Sequence, residues 1–167
     1  MVNAPLTRER VYELLREVPD PEVPVISVVE LGIIRDVAVA ADGAVDITIT
    51  PTYSGCPAMF EIEKDVRAAL ADAGATQVTM RTVLAPAWTT DWIGPEAKEK
   101  LRAYGISPPG PAEPGGPVTL TRRRTAVQCP HCGSSDTELK SEFGSTACKA
   151  IHVCRSCRQP FDEFKAH

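Results

Sequence analysis

The sequence predicts an α+β protein. A small mixed sheet carries helices on one face, in the order αββαβα, and a C-terminal zinc-ribbon β module follows. Three observations lead there. Apolar residues recur at helical spacing in two segments and alternate with polar ones between them. A run dense in proline and glycine, residues 107–117, interrupts the chain. Two Cys-x-x-Cys pairs come after it.

The elements follow in order. Thr7 is suited to cap a helix running to about Val18, with Val11, Leu14, Leu15 and Val18 on one face. Asp20-Pro21-Glu22 and Pro24 end it, because the residue before a proline is pushed out of the helical region. Ile34, Val37 and Val39 fit a strand, and Asp42-Gly43 signals a turn. Val45, Ile47 and Ile49 then alternate with Asp46, Thr48 and Thr50, so the pair reads as a β-hairpin. A loop from Pro51 to Cys56 leads into a second helix starting near Pro57. Its buried stripe is Met59, Ile62, Val66, Ala69 and Leu70, and Gly74 stops it. Gln77 to Val83 reads as a third strand. Pro95 opens a short helix through Leu101, closed by Gly105. From Ser107 to Pro117 the density of Pro and Gly leaves no room for a regular element, so 1–106, the linker 107–117 and 118–167 are the expected domains.

At 167 residues the chain holds one ordinary domain and a small module, not two large cores. Its charge is uneven. Residues 1–117 carry 10 Lys and Arg against 17 Asp and Glu, whereas 118–167 carry 8 against 5. An acidic body with a weakly basic tail argues against nucleic acid as the main partner, and Arg122-Arg123-Arg124 is its sole support. No apolar run is long enough for a membrane span, and the start lacks the apolar core of a signal peptide. The expected setting is the cytoplasm, where thiols serve metals or chemistry more often than disulfides.

The four cysteines Cys129, Cys132, Cys154 and Cys157 carry the strongest chemical signal. Each Cys-x-x-Cys turn points two thiolates at one centre, and two turns complete the tetrahedron that zinc accepts in closed structural sites. The intervening segment has few apolar residues, so the metal is expected to supply much of its folding energy. Iron is the rival metal for the same sulfurs. Cys148 and His152 lie between the two turns. With four ligands already present, Cys148 is either a small buried hydrophobe or a second reactive thiol. His131 reads as exposed filler.

In the first domain Cys56 precedes Pro57 at the expected cap of the second helix, where the positive helix end favours thiolate. Thr50, Thr52, Tyr53, Ser54 and Gly55 surround it in sequence, so it reads as a nucleophilic sulfur, a transient metal ligand or a plain helix cap. No histidine lies in residues 1–117, which argues against a Cys–His hydrolase. Asp20 and Glu22 could ligate metal or orient a thiol, or form a solvated turn. Trp88 and Trp92 read as the rim of the core or a partner surface.

Asp20-Pro21-Glu22, Leu31-Gly32-Ile33-Ile34, Thr50 with Gly55-Cys56-Pro57, and Gly105-Ile106-Ser107-Pro108-Pro109 resemble the metal–sulfur cluster biosynthetic (SufT-like) domain of iron–sulfur assembly, over about residues 7–109. With Phe143-Gly-Ser-Thr-Ala-Cys148-Lys149 and Pro160-Phe161-Asp-Glu-Phe164-Lys165, the chain resembles the PaaD branch, accessory proteins of the phenylacetyl-CoA ring-epoxidase system. That resemblance implies a factor maturing the iron–sulfur cluster of the epoxidase reductase or the di-iron site of its oxygenase, with those subunits as partners. A homodimer is compatible with it. The same resemblance raises the standing of Cys56, Asp20 and Glu22 as a thiol or metal-transfer site holding transient iron or an Fe–S cluster, and of Cys148. The alternative is an electron-transfer subunit with a rubredoxin-like iron in the four cysteines. Colour separates the two, since a zinc protein is colourless and an iron–thiolate protein is red.

Overall fold

A computed structural model describes residues 6–112 and 126–167. The chain forms two compact units, Met1–Trp88 and Thr89–His167.

In the first unit, α1 (Arg8–Arg16) starts where the Thr7 hydroxyl accepts the Arg10 N–H at 3.2 Å, satisfying one orphan donor of the first turn. It buries Val11 and Leu15. β1 (Ile34–Val39) and β2 (Ala44–Ile49) pair antiparallel in register Val37↔Ile47 and Val39↔Val45. Gly43 closes the turn between them at φ +85, and an added Cβ would also meet Thr76 Cγ2 at 3.3 Å. α2 (Ala58–Asp72) then returns the chain, and β3 (Gln77–Thr82) joins β2 in parallel, giving the order β1-β2-β3.

Both helices contact the sheet and each other. Val45, Ile47 and Ile49 of β2 are buried with Ile62, Val66 and Leu70 of α2, while Asp46 faces water. The alternation in the sequence therefore corresponds to one covered face and one wet face. The segment between α1 and β1 is more buried than its prolines suggest, since Val23, Ile26, Val28, Leu31 and Ile33 all enter the core. A β-bridge between Pro19 and Ser27 holds it closed. Trp88 is buried and donates its indole N–H to the Leu31 carbonyl at 3.0 Å, so it anchors this segment.

The second unit opens with a 3₁₀ turn, Thr90–Trp92, and continues through α3 (Pro95–Ala103) to β4 (Ile106–Ser107). β5 (Thr137–Ser141), β6 (Lys149–Cys154) and β7 (Pro160–Phe164) follow. The sheet order is β4-β7-β6-β5, with β4 parallel to β7 and the other pairs antiparallel.

This arrangement differs from the expected sequence boundary. The division falls between Trp88 and Thr89, so the helix at Pro95 packs in the unit that holds the ribbon strands. Ile106↔Asp162 and Ser107↔Glu163 form the parallel pair, and the Thr89 hydroxyl donates to the His167 carbonyl at 2.8 Å. Ser107, expected to begin a structureless linker, is a strand residue. Its backbone pairs just ahead of the first proline, and Pro108, with no N–H to give, ends the strand. Residues 113–117 of that linker, and Arg122 to Arg124, lie outside the described residues.

Candidate metal centre

Two knuckles build the site. Cys129 and Cys132 lie ahead of β5; Cys154 ends β6, and Cys157 lies in the turn to β7. In the first knuckle Gly133 N–H donates to the Cys129 carbonyl at 2.9 Å, and Cys129 N–H to the Ser134 carbonyl at 2.9 Å. In the second, Cys154 N–H donates to the Gln159 carbonyl at 3.0 Å. The residue after each second cysteine takes a left-handed conformation, Gly133 at φ 75 and Arg158 at φ 62. Glycine adopts it freely, whereas for an arginine it costs about 1–2 kcal/mol.

The four sulfurs lie within 4.8 Å of one another. Across the knuckles, Cys129 Sγ is 3.7 Å from Cys157 Sγ, and Cys132 Sγ is 3.5 Å from Cys154 Sγ. A tetrahedral ion with metal–sulfur bonds of about 2.3 Å requires edges of about 3.8 Å, so the sulfurs are spaced for such an ion. All four cysteines are free of disulfides. Among the described residues they are also the one group of three or more His, Cys, Asp or Glu side chains whose ligand atoms converge in this way. The donor set and spacing fit a closed thiolate metal site.

The close approach of the sulfurs also divides their protons unequally. Cys154 is pushed down to about 6, first by the Cys157 N–H aimed at its sulfur, and further by the Cys132 thiol. Cys132 is pushed up to about 12: the Ser134 N–H favours its thiolate, but the proton it shares with Cys154 and the cost of burial outweigh that. Without a cation, sulfurs this close divide into thiol and thiolate, and only a cation lets all of them ionise. Phe161 packs against Cys129 and Cys154, with Val127 and Cys157 at the margin, so the sulfurs have a dry inner side.

The remaining candidates lie apart from this group. Cys148 is buried, its sulfur 3.0 Å from the Thr146 hydroxyl. His152 is buried, stacks on Phe161 and pairs through Nε2 with Glu163 at 2.7 Å. His131 is exposed, as expected. Cys56 is half-buried, and the cap of α2 is Pro57, already at helical φ −67 and ψ −25, which moves Cys56 one residue ahead of its expected position. Its carbonyl accepts the Met59 N–H at 3.2 Å. Cys56 thus lies where the chain passes from the carboxyl end of β2 into α2. Thr50, which opens that loop, is buried with no hydrogen bond to its hydroxyl among the described residues.

Asp20 is buried, contrary to a solvated turn. Its Oδ1 accepts the N–H groups of Glu22 at 2.9 Å and Val23 at 2.7 Å, so the carboxylate organises the loop that follows α1. Glu22 is half-buried. Cys56, Asp20 and Glu22 do not form a converging group among the described residues. Sequence reasoning passed over Arg158. The signal was its offset from Cys157, the same as that of Gly133 from Cys132.

Comparison with known proteins gives two family matches. Residues 8–83 match the iron–sulfur cluster assembly protein family, and residues 113–165 match the PaaD zinc beta ribbon domain. The chain is 48% identical over 162 residues to an Escherichia coli (strain K12) protein provisionally described as one of the subunits of 1,2-phenylacetyl-CoA epoxidase, covering 97% of this chain and 94% of that protein. It is 40% identical over 96 residues to a Porphyromonas gingivalis Fe-S protein maturation auxiliary factor, covering 57% of this chain and 90% of that one. A domain of unknown function, DUF59, from Bacillus anthracis has a similar structure, with TM-score 0.53 and 29% identity over 56% of this chain and 90% of that chain.

Proposed function

The chain belongs to the PaaD family, in which an iron–sulfur cluster assembly domain accompanies a PaaD zinc ribbon, and on that premise we propose that it is an accessory factor maturing a metal centre of a phenylacetyl-CoA ring-epoxidase. The observation that carries this reading is the similarity to the Escherichia coli epoxidase protein along nearly the whole chain. The similarity of its first part to Fe-S protein maturation factors supports it independently. The cargo is iron or sulfide destined for the iron–sulfur cluster of the reductase or the di-iron site of the oxygenase.

In this reading the two units divide the work. Cys56, half-buried at the mouth of α2, holds the cargo through a sulfur that a client can approach. Asp20 shapes the loop after α1 through the Glu22 and Val23 N–H groups and, among the described residues, does not converge with Glu22 on Cys56. The four ribbon cysteines hold zinc, whose role is to fold the module rather than to react. The protein is then a helper of the epoxidase and not itself its catalyst.

The test replaces one atom. Cys56→Ser removes the soft ligand at little change in volume, so the protein should stay folded and keep its ribbon metal. Epoxidase isolated from cells carrying the variant should lack part of its iron, and growth on phenylacetate should slow. Full iron and full activity in that epoxidase would confine Cys56 to a structural role. A red colour in the purified protein, persisting in Cys56→Ser, would instead favour an electron-carrying iron in the four cysteines.

A further inference from the structure

The four ribbon sulfurs are unequally protected, and we propose that Cys132 is an oxidative modification site: a peroxide converts it to a sulfenic acid that Cys154 resolves as a disulfide, opening the metal centre. This inference rests on the four-cysteine metal site described above. Cys129 is 2% exposed and Cys154 fully buried, Cys157 is half-buried, and Cys132 alone of the four is exposed. A thiolate bound to a metal keeps nucleophilic electron pairs, so which sulfur reacts is set by which one an oxidant can touch. The dry side, closed by Phe161, shields the others.

The resolving partner follows from distance. Cys154 Sγ lies 3.5 Å from Cys132 Sγ, in direct hydrogen-bond contact with it across the two knuckles. Bonding requires the sulfurs to close to about 2.05 Å. The movement falls on the exposed knuckle, because Cys132 is followed by Gly133, beside which a Cβ would meet no atom within 4 Å. Buried Cys154, at the end of β6, stays in place.

The chemistry balances without a further reagent. The Cys132 sulfur attacks one peroxide oxygen, the O–O bond breaks, and hydroxide leaves. Cys154 sulfur then attacks the Cys132 sulfur, the S–O bond breaks, and a second hydroxide leaves. Two thiolates lose two electrons to one peroxide, and the hydroxides take up protons as water. A metal left with two of its sulfurs is released, and a thiol reductant restores the site. Of the other cysteines, Cys148 is buried, and Cys56 lies in the first unit, where its oxidation leaves the four ribbon sulfurs unchanged.

The experiment uses the full chain loaded with one equivalent of zinc and titrated with hydrogen peroxide. A chromogenic chelator reads released zinc, and non-reducing peptide mapping reads the linkage. Zinc release should track a Cys132–Cys154 linked peptide and reverse on adding thiol reductant and zinc. Cys132→His, which leaves a three-cysteine, one-histidine ligand set, should slow release at least tenfold. A first linkage between any other pair, retention of zinc after Cys132 is oxidised, or release from Cys132→His at the wild-type rate would overturn the proposal. If Cys132→His binds no zinc, the mapping of the unaltered protein decides alone. A chain that takes up no metal before peroxide is added refutes the metal site itself, and the inference with it.

Discussion

Removal of the ribbon metal should unfold the ribbon strands while the first unit stays intact. The perturbation is Cys154→Ser, chosen because this sulfur is fully buried at the end of β6 and lies 3.5 Å from Cys132 Sγ. Within Thr89–His167 the large apolar side chains that are buried are Ile93, Leu101, Ile106, Phe161 and Phe164. At about 1.5–3 kcal/mol each they contribute roughly 8–15 kcal/mol. Binding of a structural zinc is worth about 10–16 kcal/mol in small peptide systems, as much again. Loss of even about 4 kcal/mol of that raises the open population about a thousandfold. Hydrogen exchange should therefore show the amides of β5, β6 and β7 losing at least that factor of protection. Amides of α2, over Ile62, Val66 and Leu70, should keep theirs, because that core contains no metal ligand. Simultaneous loss of protection in α2 would show one cooperative unit and refute the reasoning. Unchanged protection in β6 would show that the sheet folds without its metal.

Three further outcomes are expected. Gly133→Ala forces a Cβ onto a left-handed residue and should cost the ribbon about 1–2 kcal/mol, whereas Arg158→Gly should not destabilise it; thermal unfolding of the metal-loaded protein reads both. Asp20→Ala leaves the Glu22 and Val23 N–H groups without their acceptor and should cost about 2 kcal/mol or more in denaturant unfolding, while Asp20→Asn, which keeps an oxygen in place, should cost clearly less. Ile62→Ala, in the buried stripe of α2, should lower the stability of the first unit by about 2–5 kcal/mol and leave metal content per folded molecule unchanged.

Local chemistry explains what could be read along the chain. The Thr7 cap, the Asp42-Gly43 turn, the alternation of Val45, Ile47 and Ile49, and the stripe of Ile62, Val66 and Leu70 are short-range patterns. Each has its physical cause within a few residues, so the elements appear where those residues predict them. The same holds for the metal centre, because a Cys-x-x-Cys turn is itself a local device for aiming two sulfurs at one point. What tertiary structure decided is the long-range placement. The pairing of Ile106-Ser107 with β7 draws the Pro95 helix into the second unit, and no local pattern could announce a partner so distant in the chain. Burial turned Asp20 from a solvated carboxylate into the organiser of its loop, since a carboxylate out of water must be satisfied by nearby N–H groups. Packing alone also ranked the four cysteines, leaving Cys132 open and Cys154 closed: their spacing in sequence is symmetric, but the sheet and Phe161 cover only one side of the cluster.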